Sequence, residues 1–233
     1  DHIYANWLST RTELTDADPL AGLDDLARQV KAAGIRQIDG DVLVDDRLFA
    51  RARGSGSGPD VVTPILVNDN VIDVIVTPAA KAGDAAAVAF RPQTAYAQID
   101  AQVDTVGEGK PVQLRADRVG PERFVVRGQI PVGSAPMVRI CPVDEPAAFA
   151  RALFIEALRR AGVSVQAGVQ QAPTAELPPV GAWSGDHAPT GENLERVGVL
   201  KSPPLSEAVK VTLKVSHNPV SYTHLRAHET GRN

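Results

Sequence analysis

At 233 residues and 43% hydrophobic content the chain has the length and composition to bury a substantial core, and its 4% aromatic content leaves Val, Leu, Ile and Ala to do most of the packing, as in β-rich layers interleaved with small-residue helices. A formal net charge of −4 with no basic cluster excludes a nucleic-acid surface built on phosphate neutralisation. The single cysteine, Cys141, excludes an internal disulfide and leaves a structural zinc site with little to work with, and no apolar run reaches the length that spans a bilayer. The chain starts at Asp1 without an initiator Met or a signal peptide, and it reads as an internal piece of something longer.

In chain order, Asp18-Pro19 predicts the start of a helix that continues through Leu20, Leu23, Leu26, Ala27, Val30 and Ala33 and ends at Gly34. Ile38 to Val44 alternates as a strand, with a turn at Asp45-Asp46. Gly54-Ser55-Gly56-Ser57-Gly58-Pro59 has few side chains to bury and reads as a flexible surface loop. Asn68-Asp69-Asn70 supplies turn chemistry ahead of the apolar run Val71 to Val76, a well-buried strand closed by Pro78. Short β-type runs follow at Ala87 to Phe90, Ala97 to Val106, Val112 to Leu114 and Phe124 to Ile130. Asp144-Glu145-Pro146 then opens a second helix, with Phe149, Ala150, Leu153, Phe154, Ala157, Leu158 and Ala161 on one face and Gly162 at its end. Val163 to Val165 returns as a strand, and the prolines between Ala172 and Asn193 mark a crossing between modules.

The predicted fold class is α/β plus β. The division that goes with it is an α/β domain over residues 1–77 and 141–180, a mostly-β domain nested in it over 78–140, a separate module over 181–219, and a tail over 220–233.

The segment from Ser202-Pro203-Pro204-Leu205-Ser206-Glu207 to Ser216-His217-Asn218 enters a helix with Ser206 as its cap and ends in a polar Ser-x-Asn triplet. On composition alone such a triplet is a helix terminus, because Ser and Asn favour caps. Its company alters that reading. Ala33-Gly34-Ile35 through Gly40 to Asp46, Val67-Asn68-Asp69-Asn70-Val71-Ile72-Asp73-Val74, Gly128-Gln129-Ile130-Pro131 and the Ser202–Asn218 stretch occur in one order. As an ordered set they resemble the penicillin-binding D-alanyl-D-alanine carboxypeptidases/endopeptidases of the peptidase S13 kind.

That resemblance implies a transpeptidase-like catalytic domain interrupted by an inserted domain, itself interrupted by another. It also implies three motifs that meet in one cleft: Ser-x-x-Lys, Ser-x-Asn and Lys-Thr-Gly. Only the second is present, as Ser216 and Asn218. No serine in the chain has a lysine three residues on, and no Lys-Thr-Gly occurs. The first motif matters because an acyl-transfer serine needs an adjacent base, and the lysine one helical turn later serves.

By the resemblance, the Ser216 hydroxyl helps relay a proton to the departing D-alanine, and the Asn218 amide helps position the substrate peptide. His217 has no assigned role. The implied partners are peptidoglycan stem peptides and, for the intact parent, β-lactams, with no cofactor or metal and with an extracytoplasmic location. The chain by itself is expected to be inactive. The alternative is a non-catalytic peptidoglycan-binding or scaffold protein derived from the same family.

His224, His228 and Glu229 can be sketched as a metal site at helical spacing. Residues 220–233 instead resemble translated sequencing-adapter read-through. Pro219 disfavours the helix expected to follow Asn218, and Glu229-Thr230-Gly231 has the wrong charge to meet a substrate carboxylate.

Overall fold

A computed structural model describes residues 17–54, 61–177, 196–207 and 209–210, together with Leu14. Helix α1 (Ala21–Ala32) starts at Ala21 rather than at Pro19. Asp18 and Pro19 form a turn ahead of it, in which the Asp18 carboxylate accepts from the Leu20 amide at 2.9 Å and the Asp18 carbonyl from the Ala21 amide. Gly34, at φ +94°, ends the helix in a left-handed conformation that costs glycine little.

The strand expected over Ile38–Val44 is cut short: β1 is Gln37–Ile38 alone, and residues 39–46 carry no strand. A buried arginine explains the difference. Arg151 donates from Nε to the Val42 carbonyl at 2.7 Å, and from Nη1 to the carbonyls of Gly168 and Gln171 at 3.0 and 2.7 Å. Backbone groups that a longer strand would have paired in a ladder are paired instead by this side chain. The short strands β2 (Ala52–Arg53) and β3 (Val61–Val62) pair antiparallel on either side of the Gly/Ser-rich stretch, and residues 55–60 lie outside the described residues.

The β-rich centre follows the sequence expectation over residues 71–76, 87–90, 97–106 and 124–130, carries the run expected at 112–114 on to residue 120, and adds a strand over residues 137–142 that no expected run covered. It comprises β4 (Val71–Thr77), β5 (Ala87–Arg91), β6 (Gln98–Val106), β7 (Gln113–Gly120), β8 (Arg123–Pro131) and β9 (Met137–Pro142). One antiparallel sheet has the order β5-β4-β9; the other has the order β6-β8-β7, with β6 parallel to β8 and β7 antiparallel to it. The first sheet runs across the positions expected as boundaries at 77/78 and 140/141, because β4 needs partners on both edges and finds them in β5 and β9.

Ile72, Val74 and Val76 from β4 meet Val103, Leu114, Phe124, Val126 and Ile130 of the second sheet in one core. Period-2 alternation puts those three β4 residues on one face, and their burial is the hydrophobic contribution that holds the two sheets together.

Helix α2 (Pro146–Arg160) has Pro146 in its first turn, where a missing amide costs nothing. Phe149 and Leu153 pack into the β core, with the Phe149 ring centroid 5.2 Å from that of Tyr96. Ile155, Ala157 and Leu158 pack with Ala27, Val30 and Val42 in a second cluster, which also holds Val165 of β10 (Ser164–Val165), the parallel partner of β1. The helix is therefore buried on more than the single face its apolar spacing suggests: Ala152 and Ile155 are fully covered and Arg151 is only 4% exposed.

Cys141 lies inside β9 with no exposed surface, and burial pushes its thiol pKa up to about 12. The reactive thiolate is thus absent at neutral pH. Treatment of the folded chain with a colorimetric disulfide reagent at pH 8 is expected to label no thiol until denaturant is added. Prompt stoichiometric labelling in buffer would contradict the placement of Cys141.

Candidate functional site

The segment that leads toward Ser216 returns along α1. Gln29 grips its backbone at both ends of one residue: its Oε1 accepts from the Val199 amide at 2.8 Å, and its Nε2 donates to the Val199 carbonyl at 3.1 Å. Asp25, one turn earlier, orients that amide by accepting from Nε2 at 2.7 Å. A Cβ at Gly22 would come within 2.9 Å of the Leu200 side chain, so the bare glycine makes room for it.

Beyond this anchor, residues 205–207 and 209–210 are helical. Ser206 lies inside this helix and not at the cap position expected for it; the Glu207 amide instead bonds the Pro204 carbonyl at 2.9 Å. Ser216, His217 and Asn218 lie outside the described residues, as do His224, His228 and Glu229.

Asn68, Asp69 and Asn70 are described in full, and all three are buried with φ between +48° and +55°. Asn and Asp tolerate this left-handed region better than other side chains bearing a Cβ, which gives a physical reason for the residue types. The Asn68 amide donates to the Val71 carbonyl at 2.9 Å and to the Asp73 carboxylate at 3.1 Å, and Arg91 Nε reaches the same Asp73 oxygen at 3.1 Å. Asn70 Oδ1 accepts from the Val67 amide, and the Asn70 carbonyl accepts from Val143. Every one of these bonds stays within the protein, and together they join β4, β5 and the segment after β9. The arrangement is a structural junction, as the turn reading expects.

A second polar cluster surrounds Asp41. Its Oδ2 accepts from the Thr174 amide at 2.7 Å, the Ala175 amide at 2.8 Å and the Thr174 hydroxyl at 2.9 Å. These bonds, with the Ala175 amide foremost, hold its pKa below the usual carboxylate value of 3.8, and the Arg151 guanidinium at 3.8 Å adds to the effect.

A depressed folded pKa means that this contribution is present above the unfolded pKa and is lost as pH falls through the folded one. The amide resonances of Thr174 and Ala175 are therefore expected to titrate together with a midpoint below 3.8. A midpoint at or above that value would show that the carboxylate is not held this way.

Among the described residues no group of three or more His, Cys, Asp or Glu gathers as a metal site. Nor is any helix there long and apolar enough to cross a membrane. The clamp by Gln29 and the Arg151 network carried no sequence motif that could have announced them: one is a glutamine on an amphipathic helix, the other an arginine within an Ala-rich one.

The described fold and the sequence both have known counterparts. A sequence model described as the D-Ala-D-Ala carboxypeptidase 3 (S13) family matches residues 11–231. The match runs on through most of residues 220–233, so the boundary expected near Val220 is not one that this comparison draws. A curated D-alanyl-D-alanine carboxypeptidase from Actinomadura sp. is 34% identical over 163 residues, covering 63% of this chain and 30% of that protein.

In fold, the chain resembles penicillin binding protein 4 (dacB) from Haemophilus influenzae, with a TM-score of 0.60 and 20% identity over 88% of this chain and 44% of that one. A structure of the same protein complexed with a novel beta-lactam gives a TM-score of 0.57 over 86% and 41%. The chain thus spans less than half the length of each of these relatives. With the match over residues 11–231, the chain belongs to the D-Ala-D-Ala carboxypeptidase 3 (S13) family.

Proposed function

We propose that the protein to which this chain belongs is a serine-type D-Ala-D-Ala carboxypeptidase or endopeptidase that acts on peptidoglycan stem peptides outside the cytoplasmic membrane, through an acyl-serine intermediate that β-lactams trap. The observation that carries the reading is the family match over residues 11–231, which includes the Ser-x-Asn triplet. The beta-lactam complex of a protein with the same fold supports the inhibitor side of it. Ser216 relays a proton to the leaving D-alanine and Asn218 positions the substrate peptide. The nucleophilic serine, its lysine base and the Lys-Thr-Gly strand that would meet the terminal carboxylate are not encoded in these 233 residues, so the chain alone has no acyl acceptor.

In this reading residues 1–77 and 141–180 belong to an inserted α/β domain and residues 78–140 to a nested mostly-β domain. Residues 181–219 begin the return to the catalytic domain, and residues 220–233 are read as foreign to it on their own sequence, although the family match runs on to residue 231. The anchoring of Val199 on α1 then holds, among the described residues, the stretch that leads to the segment bearing Ser216.

The test uses the full open reading frame of the gene. Ser216→Ala is expected to lower D-alanine release from a pentapeptide by about 100-fold or more, the usual worth of a positioned proton-transfer group. Unchanged release would remove Ser216 from the mechanism, and a full-length protein with no release at all would favour the non-catalytic, peptidoglycan-binding alternative.

A further inference from the structure

A cleft of about 260 Å³ lies between the start of α1, the stretch that leads into β4, and the returning segment. Leu23, Leu66, Val67 and Leu200 give it aliphatic walls, and Asp18 and Asn68 are the polar side chains that line it. The Leu200 wall is held by its surroundings. Gln29 grips the Val199 backbone at both ends, and the bare Gly22 lets the Leu200 side chain lie against α1.

Asn68 is 6% exposed, and only one end of its carboxamide is used. Nδ2 donates to the Val71 carbonyl at 2.9 Å, to Asp73 Oδ2 at 3.1 Å and to the Arg91 carbonyl at 3.3 Å. Three acceptors around one end of the group identify that end as the nitrogen, because the reverse orientation would set oxygen against oxygen. Oδ1 is therefore the other end, and among the described residues this buried oxygen has no hydrogen-bond partner. A buried side-chain acceptor ordinarily has a donor. With Nδ2 spent on β4 and β5, Oδ1 is the side-chain atom left for the cleft that Asn68 lines.

We propose that this cleft binds a neutral secondary amide carrying a short branched aliphatic group, with the ligand N–H donating to Asn68 Oδ1 and the aliphatic group against Leu23, Leu66, Val67 and Leu200. The lining selects that class. Both polar side chains accept, and among the described residues no lysine, arginine or histidine lines the cleft, so an anionic ligand has no cation to meet. An ammonium placed at Asn68 would be buried against a neutral oxygen and aliphatic walls, since the one carboxylate, Asp18, is exposed and already accepts from the Leu20 amide. A neutral N–H satisfies the buried acceptor without that cost.

The probe is N-methylisobutyramide, titrated into the isotope-labelled 233-residue chain, with methyl isobutyrate, an ester of the same shape without the N–H, as the control. The Asn68 side-chain carbonyl carbon and the backbone amides of Leu23, Leu66 and Val67 are expected to shift saturably with the amide. The ester is expected to bind about tenfold more weakly, the worth of one hydrogen bond to a buried acceptor. Asn68 itself stays unchanged in the test, because replacing it would take the donor from Val71, Asp73 and Arg91. Leu200→Ala removes an exposed wall and is expected to weaken the amide several-fold without moving the thermal midpoint. No saturable shift, an ester that binds as tightly as the amide, an Asn68 carbonyl carbon that does not move while the amide binds, or unchanged affinity in Leu200→Ala would each overturn the proposal. None of these outcomes depends on whether the parent protein is catalytic.

Discussion

Replacing Arg151 with Met is expected to lower the stability of the folded chain by about 3 kcal/mol or more, read from the urea midpoint. The side chain has about the right volume for its place on α2, so packing alone would make the change mild. Hydrogen bonding decides otherwise. The guanidinium serves the carbonyls of Val42, Gly168 and Gln171, drawn from two stretches of chain with no strand ladder of their own. Methionine leaves all three acceptors without this donor, at roughly 1 to 3 kcal/mol each where water cannot reach them, and relief from burying the charge offsets only part of that.

Arg151→Lys keeps the charge but not the planar fork, and it is expected to lose most of the same stability. A fully stable Arg151→Met chain would mean that the network is incidental.

Gly128→Ala is the other change with a large expected effect. Gly128 lies in the central strand β8, opposite Leu114 of β7 and Val103 of β6, with φ at +141°. A Cβ there would sit 1.8 Å from the Gln113 carbonyl oxygen. Alanine must therefore both hold a backbone conformation reserved for glycine and push apart two paired strands, at a combined cost of about 3 kcal/mol or more.

Gly133→Ala isolates the first of these effects. Gly133 also has a positive φ, +75°, but nothing lies within 4 Å of its would-be Cβ. Its replacement is expected to cost only about 1 kcal/mol. Equal losses at the two positions would show that close approach of the strands plays no part.

These two residues also mark how far the amino-acid pattern could be followed. The helices and the β-rich centre were legible because their apolar periods are strong: Val71–Val76 and the Phe149–Leu158 face both form as expected. Gly128 belonged to a recognisable run, Gly128-Gln129-Ile130-Pro131, whose need for a glycine the strand geometry explains. Arg151 was invisible because α2 is apolar nearly all round, and a buried cation within it breaks no period. The truncation of β1 was invisible for the same reason, since it depends on Arg151 and Asp41 capturing backbone groups more than 100 positions away in the chain. Parallel pairing of β6 with β8 depends on long-range register, which local alternation does not encode.

The proposed catalytic motif stood in the opposite position. Ser216-His217-Asn218 was readable in sequence as part of an ordered family pattern, while its geometry lies beyond the described residues. What the structure adds is the path toward it, fixed at Val199 by Gln29, and the junction built on Asn68, Asp69 and Asn70, which turns another run of that pattern into a stated set of hydrogen bonds.

The measurement that tests the central claim most directly is covalent labelling by a fluorescent penicillin, run on the full-length gene product and on the 233-residue chain side by side. The account predicts one label per full-length molecule, stable to denaturation and blocked by prior treatment with an unlabelled β-lactam, and no label on the shorter chain, which has no Ser-x-x-Lys. Stoichiometric labelling of the 233-residue chain, or a folded full-length protein that takes up no label, would contradict it.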